Sequence, residues 1–429
     1  MKLLGIANGI FALSLIVNQT AQAKDIVVTE RSEGRAIIRE ARAWVKPSWV
    51  NDQFQFSNEL DVLSGGKVKK NDQILLSPEV HCEITEKTLN NLRNSPGKTR
   101  KFFCNLLQFD SVQNKYTTVL KKNGEPDRVK VKYNNEEIYT EIVATRLFTA
   151  LGFPADRMFF VPKVKCYGCT ADPFKDIQVD ETSINSPREF LNVAIERKLD
   201  VDTIVRKITR PTMPSGTGNH AGQWDTETLI SEGWVYSELN KLLSKDEAKA
   251  KLQRAEREAL TLMTVFLYNW DSRESNHRLV CDGKDNTDDT CNGQVLMMVH
   301  DLGGTLGTWK FPKGYRLDRQ EWLDKTVWKD PSKCVARMGI NYSIYGGPGS
   351  SLLLNPKIDE SGRALLANLL KGFIAGPEGR KRVTDLFRAA HVEVTPKGTA
   401  DEWADAFITK ANEIIYPMGE GRPDFACAE

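Results

Sequence analysis

The stretch "LYNWDSRESNHRLVC", residues 267–281, decides how the chain is read. It follows a long apolar helical pattern and holds Asp271 and Asn276 as D-x-x-x-x-N. The residues after it give that spacing weight. A loop bounded by Cys281 and Cys291 leads into the short apolar run "VLMMV" (295–299) and then "HDLGGTLG" (300–307). An Asp leaving a buried strand just before glycines can hold a cation at a cleft, because glycine lets backbone approach a ligand closely. Each residue also has a plainer role. Asp271 can cap a turn with Arg273 as its partner, Asn276 can satisfy loop backbone groups, and Asp301 can form an Asx-turn before Gly303. His300 and Asp301 are neighbours on a strand and face opposite ways. His300 is therefore expected to be a packed polar residue, not a second ligand beside Asp301.

Upstream, "RVKVKY" (128–133) alternates in period two and predicts a strand, with Lys130 and Lys132 on one face. "NEEIYTEIVATRLFTALGF" (135–153) changes to a helical period. Ile138, Ile142, Leu147, Ala150 and Leu151 form its buried stripe, and Gly152 closes it. "RMFFVPKVKC" predicts another strand. Before these, 24–125 read as strands and loops ("DIVV", "QILL", "KFFCNLL", "YTTVL") with a helix near "ITEKTLNNLRNS". Residues 166–225 read as a loop-rich connection, with "TRPTMPSGTGNHAG" its clearest open stretch. "ETLISEGWVYSELNKLL" (227–243) predicts one helix. The pattern from Ser244 to Trp270 predicts another, capped by Ser244, with Leu252, Ala255, Ala259, Leu262, Met263 and Phe266 inside. Three more helical patterns follow near 362–375, 380–390 and 401–415.

The order of strand lysine, helix glutamate, D-x-x-x-x-N, apolar strand and D-L-G resembles the protein-kinase-like superfamily. The likeness is to its atypical branches: phosphoinositide kinases, HipA-type toxin kinases and secretory-pathway kinases. It extends over about 128–310 and also resembles exported bacterial proteins with the same order of motifs. No G-x-G-x-x-G loop precedes Lys132, and Trp270 precedes Asp271 where those kinases often have Arg. The resemblance implies an α+β, bilobal protein-kinase-like fold with a strand-rich N-lobe and a helical C-lobe. The N-lobe would span 24–165 with its prominent helix at 136–151, the hinge 166–225, and the C-lobe 226–429. A catalytic loop would lie at 270–278 and a metal-binding turn at 300–307.

The resemblance also implies roles. Lys132, with Lys130 as the alternative, would contact the phosphates of ATP. Glu141, with Glu137 one turn earlier as its rival, would orient that lysine. Asp271 would accept the proton of a hydroxyl acceptor, and Asn276 and Asp301 would hold Mg2+. Phosphoryl transfer needs positioning and charge neutralisation more than covalent chemistry, and this residue set supplies both. The implied partners are a nucleotide and a hydroxyl-bearing acceptor of unspecified class: protein, sugar or lipid. The alternative is a non-catalytic kinase-fold binding or scaffold protein of the cell envelope.

Composition sets the remaining bounds. The chain has 429 residues, 40% hydrophobic and 27% charged, as soluble globular proteins do. A formal charge of +2 argues against a nucleic-acid partner. "MKLLGIANGIFALSLIVNQTAQAKD" carries Lys2, an apolar stretch and Ala21-Gln22-Ala23, the pattern of a signal peptide (1–23) cleaved after Ala23. A periplasmic or secreted protein with no membrane span after cleavage is expected. Eight cysteines fit an oxidising compartment, with Cys82–Cys104, Cys166–Cys169 and Cys281–Cys291 as the local candidate pairs.

Overall fold

The computed structural model describes residues 25–419 apart from 29–30, 66–67, 69, 96–98, 200, 213–224, 232, 284–285, 287–289, 311–313 and 339–352. The signal-peptide reading and most of "TRPTMPSGTGNHAG" lie outside the described residues.

The first lobe is built on a ring of strands. The chain opens with β1 (Asp25–Val28) and α1 (Arg31–Glu40), then adds β2 (Glu79–Glu83), α2 (Glu86–Arg93), β3 (Lys101–Asp110), β4 (Lys115–Thr118) and β5 (Arg128–Lys132). Helix α3 (Glu137–Leu151) follows, then β6 (Arg157–Tyr167) and β7 (Arg188–Arg197). The order β2-β6-β7-β5-β3-β4, with β2 also pairing β3, closes five strands into a barrel and leaves β4 outside on β3. Alternation along each strand sends Phe102, Cys104, Val129, Val131, Val193 and Ile195 into the barrel core. The residues between them, including Lys101, Lys130, Lys132 and Glu196, therefore point outward.

Helix α3 packs on that outer surface against Met158, Phe160 and Ala194. Nearly all its residues are buried, because it also meets the helices of the second lobe. Gly152 ends it at φ +90, where a Cβ would lie 2.3 Å from the Val45 carbonyl oxygen. Only glycine has that conformation and that space together.

A second sheet joins the lobes. Strands β8 (Asp202–Thr212) and β9 (Asp225–Ser231) form an antiparallel pair. After α4 (Tyr236–Leu239) and α5 (Glu247–Phe266) come β10 (His277–Cys281) and the fully buried β11 (Val295–Val299). The order is β1-β8-β10-β11, with β9 on β8. Two small hairpins follow, β12 (Gly307–Lys310) with β13 (Gly314–Leu317) and, after α6 (Arg319–Asp324), β14 (Trp328–Asp330) with β15 (Val335–Ala336). Helices α7 (Glu360–Ile374), α8 (Gly376–Ala389) and α9 (Ala400–Ile415) complete the second lobe around Phe266, Trp322, Phe373, Phe387, Trp403 and Phe407.

Several sequence expectations are corrected. The stretch 166–225 is not mainly loop: it carries β7, which pairs with the preceding β6 and with β5, and β8, which pairs with β9, β1 and β10. Residues 227–243 are not one helix. Their first part continues β9, and only Tyr236–Leu239 is helical. The backbone there takes its partners from β8, and tertiary pairing overrides local propensity. "QILL" lies in a 3-10 turn, Lys70–Leu76, and α1 falls in a stretch read as strands and loops. Asp246, not Ser244, caps α5. On that helix Leu252 is exposed, while Gln253, Glu256 and Arg257 are buried. Arg42 pairs with Glu256, and Arg257 donates to carbonyls of residues 38–41 and 239–242, so polar partners fill that end of the helix.

Candidate active site

Four segments bring the candidate residues together. Strand β5 presents Lys132 outward, and α3 presents Glu141 toward it from across the barrel surface. Lys132 Nζ donates to both carboxylate oxygens of Glu141, at 2.6 and 2.7 Å. Both side chains are almost fully buried, at 5% and 1% exposure. Burial works against the lysine's charge, yet Glu141, Asp301 and Glu196 together hold its pKa well above the ordinary value. Of the two glutamates weighed for this role, Glu141 makes the pair. Glu137 accepts instead from the Thr99 hydroxyl at 2.7 Å. Lys130 pairs with Glu196 on β7, which also stands 3.7 Å from Lys132.

The turn after β11 reaches the same place. Asp301 Oδ1 accepts from the Gly303 N–H at 3.1 Å, and the Thr140 hydroxyl donates to the Gly303 carbonyl at 2.9 Å. Those bonds tie the turn to α3. Burial opposes ionisation of Asp301, but Lys132, His300 and the Gly303 N–H hold its carboxyl below the usual range.

The 270 loop closes the site from below. Trp270 N–H donates to Gly304 O at 3.4 Å, and a Cβ on Gly304 would sit 3.3 Å from the Asp271 Cβ. Asn276 Nδ2 donates to the Asp271 carbonyl at 2.7 Å, and the His300 N–H donates to the Asn276 carbonyl at 2.8 Å. Asp271 Oδ2 accepts from Arg273 at 2.8 Å. Burial raises the Asp271 pKa, Arg273 pulls it down and the charge of Asp301 lifts it again, with a net rise.

Lys132 and Glu141 thus meet Asp301's surroundings on the outer face of the barrel, with Lys130 beside Lys132, and the turn that holds Asp301 is bonded to the loop that holds Asp271 and Asn276. The plainer roles are also met: Arg273 pairs with Asp271, Asn276 satisfies backbone, and Asp301 makes its turn. The two sets of roles are compatible. A fit for Mg2+ can be tested on the donor set. Asp301 is an ionised carboxylate, and Asn276 has its amide N–H committed to Asp271, which leaves the carbonyl oxygen as its ligand atom. Both are hard oxygen donors of the kind Mg2+ takes.

Three residues beside the site were missed from sequence. Glu196 lies on β7, within the stretch read as loop. The alternation "NVAIE" was the signal that could have found Glu196. Lys101 stands directly across from Lys132 in the β3–β5 register. Asp156 pairs with the ring of His300, as the expectation of a packed polar histidine implies. Asp156, Glu196 and His300 also bring one ligand atom each within 4.8 Å of one another and could hold a metal ion.

A strand-rich lobe followed by a mostly helical lobe makes a bilobal, kinase-like architecture. Among solved structures, the chain is similar to the proinflammatory kinase CtkA of Helicobacter pylori, at 10% identity and a TM-score of 0.35, covering 72% of this chain and 91% of that one. It is also similar to a Shewanella oneidensis toxin–antitoxin complex of HipA, HipB and operator DNA, at 11% identity and a TM-score of 0.31, covering 78% of this chain and 71% of that one. At these scores the overlaps carry no residue-level correspondence. No protein-family model and no curated protein sequence matches the chain.

Proposed function

We propose that the protein binds a Mg-nucleotide between its lobes and transfers a phosphoryl group to a hydroxyl acceptor, outside the cytoplasm. The observation that carries this reading is the buried Lys132–Glu141 pair facing Asp301. A buried lysine held charged by a helix glutamate, beside a carboxylate kept ionised, suits polyphosphate binding and charge neutralisation. Lys132 would contact the phosphates, and Asp301 and Asn276 would hold Mg2+, which when bound neutralises developing charge. Asp271, its pKa raised by burial, would take the acceptor's proton. Export is supported by the disulfides Cys82–Cys104, Cys166–Cys169 and Cys281–Cys291 among the described residues. No helix among the described residues is long and apolar enough to cross a membrane.

The test is release or transfer of labelled γ-phosphate from Mg-ATP by disulfide-intact protein. Transfer abolished by Asp271→Asn supports the reading, and Asp271→Asn with wild-type transfer contradicts it. The second reading is a nucleotide-binding scaffold, favoured by the Arg273–Asp271 ion pair, which occupies the proposed base. That reading predicts binding without turnover.

A further inference from the structure

We infer that Asp156, Glu196 and His300 form a second cation site, with ligands other than Asp301 and Asn276 and suited to zinc; this does not rest on the nucleotide reading. Each of the three offers one ligand atom, and these atoms lie within 4.8 Å of one another. Backbone pairing brings them together. In the β6–β7 register Glu196 stands opposite Met158, just beyond Asp156. The Val299 N–H donates to the Pro154 carbonyl at 3.1 Å, which runs the segment before β6 alongside the end of β11 and His300. The Leu199 N–H donates to Asp156 Oδ1 at 3.0 Å and fixes that carboxylate, while Asp156 Oδ2 pairs with His300 Nδ1.

Glu196 is not an uncompensated charge: Lys130 pairs with its Oε2, and Lys132 stands 3.7 Å from the same oxygen. Its Oε1 differs. That atom accepts no hydrogen bond among the described residues, in a side chain only 1% exposed. A buried acceptor without a donor is costly, and a bound ion is one of the few things that accounts for it. The donor set selects the ion. An imidazole nitrogen with two carboxylates is the mixed nitrogen–oxygen set that zinc takes, whereas Mg2+ keeps to oxygen. Zinc holds such atoms at about 2.0–2.2 Å, so side-chain shifts of about an ångström bring all three onto one ion. Two carboxylates and a neutral imidazole balance its charge. A bound ion joins the start of β6, β7 and the turn that carries Asp301, and so fastens that turn to the barrel.

The probe is Zn2+ itself, titrated calorimetrically into chelator-stripped, disulfide-intact protein with Mg2+ in excess. The described cysteines include no free thiol to compete for it. Wild type is expected to bind one equivalent that Mg2+ does not displace, and its melting temperature is expected to rise. His300→Gln and Glu196→Gln should each weaken that binding by about tenfold or more, a loss produced even by groups one shell further from a metal. His81→Gln should bind as wild type does, because His81 with Glu79 is a separate histidine–carboxylate pair. No saturable binding to wild type overturns the inference. So does equal binding to wild type, His300→Gln and Glu196→Gln, which means an adventitious ion only, and so does loss of binding in His81→Gln. If the His300 and Glu196 variants fail to fold, X-ray absorption of zinc-loaded His81→Gln replaces them. One imidazole among oxygen ligands upholds the site, and a zinc shell with no imidazole or with several overturns it.

Discussion

Lys132 and Glu141 lie nine residues apart in sequence, on a strand and a helix, and meet as a buried ion pair with both carboxylate oxygens engaged. Removing one partner leaves an uncompensated buried charge, which typically costs about 3–5 kcal/mol. Lys132→Met and Glu141→Met should each destabilise the protein on that scale. The double variant should be less destabilised than the sum of the two, because no lone charge remains. Chemical denaturation with disulfides intact checks this. Additive losses would mean that the two side chains do not act as a pair.

Gly304→Ala probes the contact between the 301–304 turn and the 270 loop. The added Cβ would lie 3.3 Å from the Asp271 Cβ and from Trp270 ring atoms. The neighbours must give by a few tenths of an ångström, so stability should fall by only about 1 kcal/mol, as for mild overpacking. Phosphotransfer should fall more steeply than stability, since Asp271 is the group displaced. A variant that loses stability but keeps full turnover would count against Asp271 as base.

Glu258 sets a pH dependence of stability. Burial, with help from Asp359, raises its pKa to about 7 despite a hydrogen bond from Asn240. The folded state then binds the proton more tightly than the unfolded chain. The resulting stabilisation is complete below about pH 4.5 and is lost as pH rises through 7. A shift of that size corresponds to roughly 3 kcal/mol at most. Glu258→Gln should match wild type near pH 4.5 and exceed its stability at pH 8. Parallel stability curves for the two proteins across that range would contradict the assignment.

The Cys82–Cys104 bridge joins β2 to β3, where the barrel ring closes. Loop-closure entropy for its separation amounts to about 3 kcal/mol. The variant Cys82→Ala/Cys104→Ala should lose stability of that order in urea denaturation. An unchanged midpoint would show that the ring holds without the bridge.

How much of this was legible follows from how local each signal is. Lys132 and Glu141 lie within one strand–helix unit, so period-two alternation and the helical stripe that follows bring them into view together. Asp271, Asn276 and Asp301 flank a buried strand whose apolar run is continuous. Glu196 and Lys101 depend on pairings with strands far away in sequence, and register between distant strands has no local signature. Strands β8 and β9 were hidden for another reason: they pair with each other, but neither carries a clear alternation of its own. On α5, Glu256 and Arg257 look like surface residues until the segment around Arg42 is seen packed against them. Apolar periodicity marks where a helix buries carbon, and it misses a face satisfied by ion pairs and carbonyls.

On the proposed function, the Lys132–Glu141–Asp301 site holds a Mg-nucleotide. Calorimetric titration of Mg-ATP into disulfide-intact wild type and Asp301→Asn tests it most directly. The account predicts saturable, Mg2+-dependent binding to wild type and its loss in Asp301→Asn, with the variant still folded. No binding to wild type, or equal binding to both proteins, would contradict it.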